Sequence, residues 1–143
     1  MNLQVSHDLE HLGRKEGILY LLDIEVDGKR VVKIGVTCRP KIEDRVCEIL
    51  TSHFHAYRFF NYCRPKRFRK VENPYDKEAQ LLKYFKDRKY ESEKVFSGCQ
   101  ELVEVNLDEA VEVYERLVNG HDIWSTETES GEDRTAEETI GRA

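Results

Sequence analysis

Two apolar runs on either side of Asp27-Gly28 constrain this chain more than any other feature. Ile18, Tyr20, Leu22, Ile24 and Val26 occupy alternate positions, which places them on one face of a strand. Asp-Gly is the dipeptide that a two-residue type I′ turn favours, because both central positions need positive φ. The following run, Arg30 to Val36, is predicted as the return strand of an antiparallel hairpin. Gly35 interrupts it, and a glycine inside a strand marks a bulge or a close backbone approach. Each strand also carries a polar residue that a plain hairpin does not need, Tyr20 and Lys33.

The remaining elements follow from periodicity and caps. Pro40 opens a helix to about Leu50, with Ile42, Val46, Ile49 and Leu50 as its apolar stripe. Arg45 borders that stripe and is directed towards the sheet. Residues 54–63 are rich in aromatics and read as a third strand. Arg64 to Lys70, five basic residues in seven with a proline, reads as a loop. Asn73-Pro74 starts a helix to about Arg88, buried through Leu81, Leu82 and Phe85. Residues 94–105 read as a short strand, a Ser97-Gly98 turn and a further extended run. Asn106 caps a last helix, with Glu109 placed as in a capping box. Its stripe is Leu107, Ala110, Val111, Tyr114, Leu117 and Val118, and Asn119-Gly120 ends it. The expected fold class is α+β: a small antiparallel three-stranded sheet flanked by helices.

The length of 143 residues suits one domain. We place it at residues 17–124, after an N-terminal arm, 1–16, in which Leu9 and Leu12 sit on a short helix capped by Ser6. Residues 125–143 are acidic and nearly free of apolar side chains, a composition expected to be disordered. The four cysteines, Cys38, Cys47, Cys63 and Cys99, contain no Cys-x-x-Cys pair and read as free thiols. With His53 and His55 they match no standard zinc spacing. No apolar run approaches the roughly 20 residues of a membrane span, and there is no signal-peptide core, so a cytoplasmic location is expected.

Charge gives the first functional pointer. The net charge is −5, yet residues 29–70 hold twelve Lys/Arg against three Asp/Glu, or +9. A positive segment in an acidic chain implies a polyanionic partner. Arg58, Arg64, Lys66, Arg67, Arg69 and Lys70, interleaved with aromatics, form the candidate DNA surface; the bland alternative is a solvated basic loop. Glu78 is the most informative acid. It precedes Leu81, Leu82 and Phe85 by three, four and seven residues, in the middle of an apolar face. A carboxylate there is a buried ion pair, with Arg45 the nearest candidate, or a metal ligand or general base. Taken singly, Tyr20 is a core tyrosine, Arg45 a snorkelling arginine and Lys33 a strand-edge lysine. Together, beside the basic segment, they describe a phosphate-handling site.

Gly17-Ile18-Leu19-Tyr20, Lys33-Ile34-Gly35 with Val36-Thr37, Arg45 on the next helix and Glu78 on a later one resemble the GIY-YIG nuclease superfamily. The closer likeness is to its phage and bacterial branch with Lys-Ile-Gly as second motif, and Ser92 to Phe96 is similar to that branch's Glu-x-Phe ending. The resemblance spans roughly residues 17–105. It implies a metal-dependent DNA endonuclease on a three-stranded sheet, with Tyr20 as base or positioner, Arg45 on the phosphate and Glu78 holding one Mg²⁺ or Mn²⁺. Lys33 beside the phenol is expected to lower its pKa. The sequence departs from the family pattern at the inserted Leu19, at Lys33 in place of tyrosine and in the longer stretch from Tyr20 to Gly35. His53 and His55 are the candidates for the histidine that follows the arginine. The alternative is a catalytically weak GIY-YIG-like DNA-binding or regulatory module. A third class is an interaction domain whose acidic tail mimics nucleic acid. One site per chain implies a homodimer, a targeting partner or two encounters to cut a duplex.

Overall fold

The computed structural model describes residues 16–124. Tertiary contacts divide the chain into two units, with the boundary between Val111 and Glu112. The elements are β1 (Glu16–Val26), β2 (Lys29–Thr37), α1 (Ile42–Tyr57), β3 (Cys63–Glu72) and α2 (Pro74–Tyr84). A 3-10 turn (Lys86–Arg88), β4 (Lys89–Tyr90), β5 (Leu102–Val103) and α3 (Leu107–Val118) follow. The sheet order is β3-β1-β2-β5-β4, antiparallel throughout. The fold is therefore α+β as expected, with five strands rather than three; β4 and β5, of two residues each, are too short to leave a periodic signal. The arm helix expected around Leu9 and Leu12 and the acidic tail lie outside the described residues. No helix among the described residues is long and apolar enough to cross a membrane.

The hairpin forms as its turn chemistry dictates, with Asp27 at φ 54° and Gly28 at φ 78°. Asp27 also does more than turn the chain. Its carboxylate accepts hydrogen bonds from the Tyr57 and Tyr90 hydroxyls, both at 2.6 Å, and from the Glu93 N–H at 2.9 Å. The hairpin tip thus ties α1, β4 and the chain after it to one carboxylate. Tyr20, Leu22, Ile24 and Val26 of β1 pack with Ile42, Val46 and Ile49 of α1. Leu19 and Leu21, on the opposite face, are fully buried as well, so β1 is covered on both sides.

The aromatic segment corrects the expected third strand. Residues 54–57 continue α1, which runs seven residues beyond the predicted Leu50. Ile42, Val46, Ile49 and His53 are its buried residues, and they hold helical spacing only if His53 counts as part of the stripe. The helix stops at Arg58, in the left-handed region at φ 72°, whose N–H bonds the Phe54 carbonyl at 2.7 Å. The third strand is instead Cys63–Glu72, so Arg64 to Lys70 form a strand and not a loop. Pro65 is tolerated there because β3 is an edge of the sheet. Exposed lysines and arginines are also the side chains that keep an edge from pairing with other chains.

The later helices differ in detail. Pro74 opens α2 as expected, but Asn73 is at φ 51° and makes no side-chain cap bond, and the helix ends at Tyr84, short of Arg88. Leu81 and Phe85 are buried, whereas Leu82 is half-buried. Residues 94–96 form no strand, while the Ser97-Gly98 turn is present. At α3, the Asn106 Oδ1 accepts the Asp108 and Glu109 N–H groups at 2.8 and 3.3 Å. The Glu109 carboxylate turns away to bind Arg88 through two bonds of 3.0 Å, so the cap is one-sided. Val113 is buried in α3 in place of Val111 and Val118, which are half-buried.

The Asp27 hub makes two predictions about stability. Burial raises the Asp27 pKa, but the Tyr57, Tyr90 and Glu93 donors outweigh it and hold the carboxyl below its usual range. A depressed folded pKa contributes stability above the unfolded value of about 3.9, lost as pH falls through the folded value. Asp27→Asn removes the charge from three hydrogen bonds and is expected to cost about 1–3 kcal/mol at pH 7. Urea unfolding at pH 7 and at acid pH measures both, and the difference between Asp27→Asn and the native chain should shrink in acid.

Candidate active site

Tyr20 on β1 lies opposite Gly35 on β2. A Cβ added at Gly35 would sit 2.4 Å from the Tyr20 hydroxyl oxygen and 2.5 Å from Cζ. The glycine in the second motif therefore makes room for the phenol, which is the close approach expected from its place in a strand. Tyr20 is 1% exposed, and its oxygen accepts a hydrogen bond of 3.2 Å from Arg45 Nε. Arg45 Nη1 donates to Glu48 Oε1 at 3.1 Å and to Ser97 Oγ at 3.2 Å. Glu48 also binds Arg39. The Ser97 N–H in turn bonds Ser52 Oγ at 2.7 Å, fastening the 97–100 turn to α1. Arg45 is thus held on three sides, and its Nη2 is uncommitted among the described residues.

Lys33 is not an edge lysine: it is 1% exposed, and its ammonium pairs with Glu101. Glu101 is the residue that sequence reasoning missed. It stands just before β5, where Leu102 pairs with Lys33, and its carbonyl accepts the Ile34 N–H at 3.0 Å. No spacing rule links two residues 68 positions apart. A lysine in the middle of an apolar strand, had it been read as buried rather than at the edge, is the one signal that would have called for an acid elsewhere.

Glu78 on α2 is half-buried and makes no hydrogen bond or ion pair among the described residues. The ion pair with Arg45 does not form, since Arg45 is taken by Glu48. Burial and the Glu101 carboxylate push the Glu78 carboxyl up to about 7, with Lys33 pulling the other way. Glu78 and Glu101 also act on Tyr20, and Glu78 acts on Lys33. The four residues singled out in the sequence therefore share one electrostatic neighbourhood, drawn from β1, β2, α1 and α2.

The expected activation of the phenol by Lys33 is not what the structure shows. Burial raises the Tyr20 pKa, the opposing partner is Arg45, and Lys33 is turned to Glu101. Burial likewise lowers the Lys33 pKa, against the pull of Glu101. His53 is 1% exposed, stacks on Tyr57 at 4.3 Å and donates from Nδ1 to the Phe59 carbonyl at 3.3 Å, so it belongs to the core. His55 is exposed and lines an open groove of about 870 Å³ with Arg39, Arg45, Glu48 and Ser52.

The donors present fit a divalent cation held mainly by water. One desolvated carboxylate, repelled by another and without a bonded cation among the described residues, is a group that a bound Mg²⁺ or Mn²⁺ would stabilise. No three His, Cys, Asp or Glu gather among the described residues, and all four cysteines are free, so a zinc centre of Cys38, Cys47, Cys63, His53 and His55 is not formed.

The basic segment divides between the two faces of the sheet. Directly opposed residues of an antiparallel pair share a face. Arg69, Arg67 and Arg64 oppose Leu19, Leu21 and Asp23, away from Tyr20. Phe68 and Lys70 oppose Tyr20 and Ile18 and share their face. Lys66 is the extra residue at a bulge between the Leu21 and Leu22 pairs. Arg58 caps α1 apart from them. A second open cleft, of about 1170 Å³, runs between Gly17, Thr37, Arg39, Phe68 and Lys70. Arg39 lines both clefts.

An antiparallel sheet with a tyrosine, a buried lysine, a clamped arginine and a half-buried carboxylate on neighbouring elements defines an α+β domain with a polar site beside its hairpin. The T5orf172 domain model matches residues 17–118, and the chain belongs to that family, a phage-derived domain related to nuclease modules. No curated protein and no solved structure matched the chain.

Two measurements check this geometry. Gly35→Ala is expected to displace the Tyr20 ring and destabilise the domain by about 1–3 kcal/mol, read by urea unfolding. In cation-free buffer, a Glu78 pKa above its unfolded value of about 4.3 supplies stability below that value, lost as pH rises through about 7. Glu78→Gln should remove this dependence and be the more stable chain at pH 8.

Proposed function

We propose that this domain is a small metal-dependent DNA endonuclease of the GIY-YIG type, hydrolysing phosphodiester bonds at Tyr20, Lys33, Arg45 and Glu78. The observation that carries the reading is the Glu78 carboxylate, without a hydrogen bond or ion pair among the described residues, in the neighbourhood of Tyr20 and the buried Lys33 that the clamped Arg45 shares. Arg45 offers Nη2 to a phosphate oxygen while Tyr20, Glu48 and Ser97 fix its plane. Charge developing on the phosphate then meets a guanidinium that needs no reorganisation. Tyr20 remains a phenol at neutral pH. Its oxygen takes the Arg45 bond, leaving its O–H to orient an attacking water rather than act as a phenolate base. Lys33 stands beside Glu78 with its side chain paired to Glu101. A divalent cation held by Glu78 would supply Lewis-acid stabilisation of the leaving oxygen.

DNA is the substrate this arrangement favours. Lys70, Arg39 and Arg45 line two clefts that share Arg39, so phosphates bind without sequence readout. Cutting both strands calls for two copies, a targeting partner or two encounters. The cell compartment that holds the DNA, the cytoplasm of the host cell, is the setting.

A second reading, a binding module without turnover, is favoured by the burial of Tyr20 and by the Lys33–Glu101 pair, which together leave little reactive surface. Plasmid, branched and single-stranded DNA incubated with Mg²⁺ or Mn²⁺, and with EDTA, separate the two. Cleavage is expected only with metal, and Glu78→Gln and Arg45→Ala should each lower its rate by about 10² or more. Cleavage unchanged in Glu78→Gln would sink the endonuclease. Salt-sensitive binding with no cleavage on any substrate would establish the module.

A further inference from the structure

The loop after α1 presents aromatic rings to solvent on an anchored backbone. Phe59 and Phe60 are 56% and 67% exposed. The loop is not free to fold them away. The Phe59 carbonyl is held by His53, Asn61 Nδ2 bonds the Glu25 carbonyl at 2.7 Å, and the Glu25 N–H bonds the Tyr62 carbonyl at 2.9 Å. Phe60 stacks on Phe54 with centroids 4.6 Å apart and planes 23° from parallel, leaving its outer face open.

This stack continues the groove at Arg45. Arg45, Glu48, Ser52 and His55 lie at helical spacing along one stripe of α1, and all four line that groove. The His55 ring is 6.1 Å from Phe54, edge to face. From Arg45 to His55 the helix rises about 15 Å, roughly four steps of a duplex strand. Cations accompany the rings. Arg58 begins the loop, and Tyr62, at its other end, carries Arg30 at 3.9 Å and Arg64 at 5.6 Å. Exposed aromatic faces beside a basic backbone track are how proteins hold unpaired bases.

We propose that the Phe54–Phe60 stack is a platform for an unpaired base, so that the strand reaching Arg45 is single-stranded or splayed at a branch. The proposal rests on the DNA reading of the groove and names its substrate class. A nucleobase, and not a second copy of this chain, is the occupant, because Arg58 at the start of the loop and Arg39 and Arg45 in the groove would repel their own copies and attract phosphates.

The test is binding in EDTA, where DNA stays intact. A single-stranded oligonucleotide carrying 2-aminopurine and a fully paired duplex are titrated with the native chain, Phe60→Ala and Phe60→Trp. Phe60→Ala is expected to bind the single strand about tenfold more weakly and to lose the quenching of 2-aminopurine. Its salt slope should be unchanged, since no phosphate contact is removed. Phe60→Trp should keep affinity and quenching, and duplex binding should not respond to either variant. Equal affinity of Phe60→Ala and the native chain for the single strand overturns the proposal. So does sedimentation showing a dimer that Phe60→Ala dissolves while DNA binding is unaltered. Because cleavage is not read, a protein that stacks bases yet never cuts overturns only the endonuclease, and one that cuts without the Phe60 effect overturns only the platform.

Discussion

A lysine ammonium with 1% exposure in the middle of a strand must meet a counter-charge. In this protein that requirement organises the site. Glu101 is the counter-charge, and it reaches Lys33 only because β5 pairs with β2 at Leu102. Removing one partner of such a pair leaves an uncompensated buried charge, at a cost of about 3–5 kcal/mol. A strand of two residues is thereby worth forming. The chain that leads into it brings Phe96 into the core and Ser97 onto Arg45. One ion pair therefore sets the position of the lysine, the turn and, through the turn, the arginine.

The hairpin was legible because its determinants are local. Asp27-Gly28 and the alternation of β1 act within a few residues, and Gly35 was readable as a close approach even without knowing that the Tyr20 phenol fills the space. Tyr20, Lys33, Arg45 and Glu78 were legible as a set by order and spacing, whereas Glu101 was not, since only the three-dimensional pairing of β2 with β5 relates it to Lys33. The stretch from Phe54 to Lys70 failed for a different reason. Aromatic residues suit a strand and the end of a helix alike, and a buried histidine such as His53 hides the stripe that decides between them. A lysine- and arginine-rich edge strand has the composition of a loop, because an edge, like a loop, faces water on its open side.

Reading β3 as a strand changes the electrostatics as well as the topology. As a loop, Arg64 to Lys70 would gather their charge wherever a polyanion lay. As a strand they alternate, and Arg64, Arg67 and Arg69 share the face of Leu21 and not that of Tyr20. The cationic side chains lining the two clefts include Lys70, Arg39 and Arg45, of which Arg39 and Arg45 lie outside the Arg58–Lys70 stretch singled out as the candidate surface. A duplex gripping both faces of this edge would wrap the sheet; a single strand following the α1 groove would not need to.

Under the proposed function, the charges at the site would make cation and phosphate binding interdependent. Lys33, Arg45 and Arg39 face Glu101, Glu48 and Glu78, charges that offset one another before any substrate arrives. A phosphate approaching Arg45 would meet Glu48 already on that guanidinium. A divalent cation at Glu78 would tip that balance to positive and offset the burial and the Glu101 repulsion that lift the Glu78 pKa to about 7. A phosphate brought against Arg45 in turn favours Glu48 staying with Arg39, its second arginine. Each ligand would thus lower the electrostatic cost of the other, as linkage between two sites requires, and Glu78 would be the group through which they are coupled.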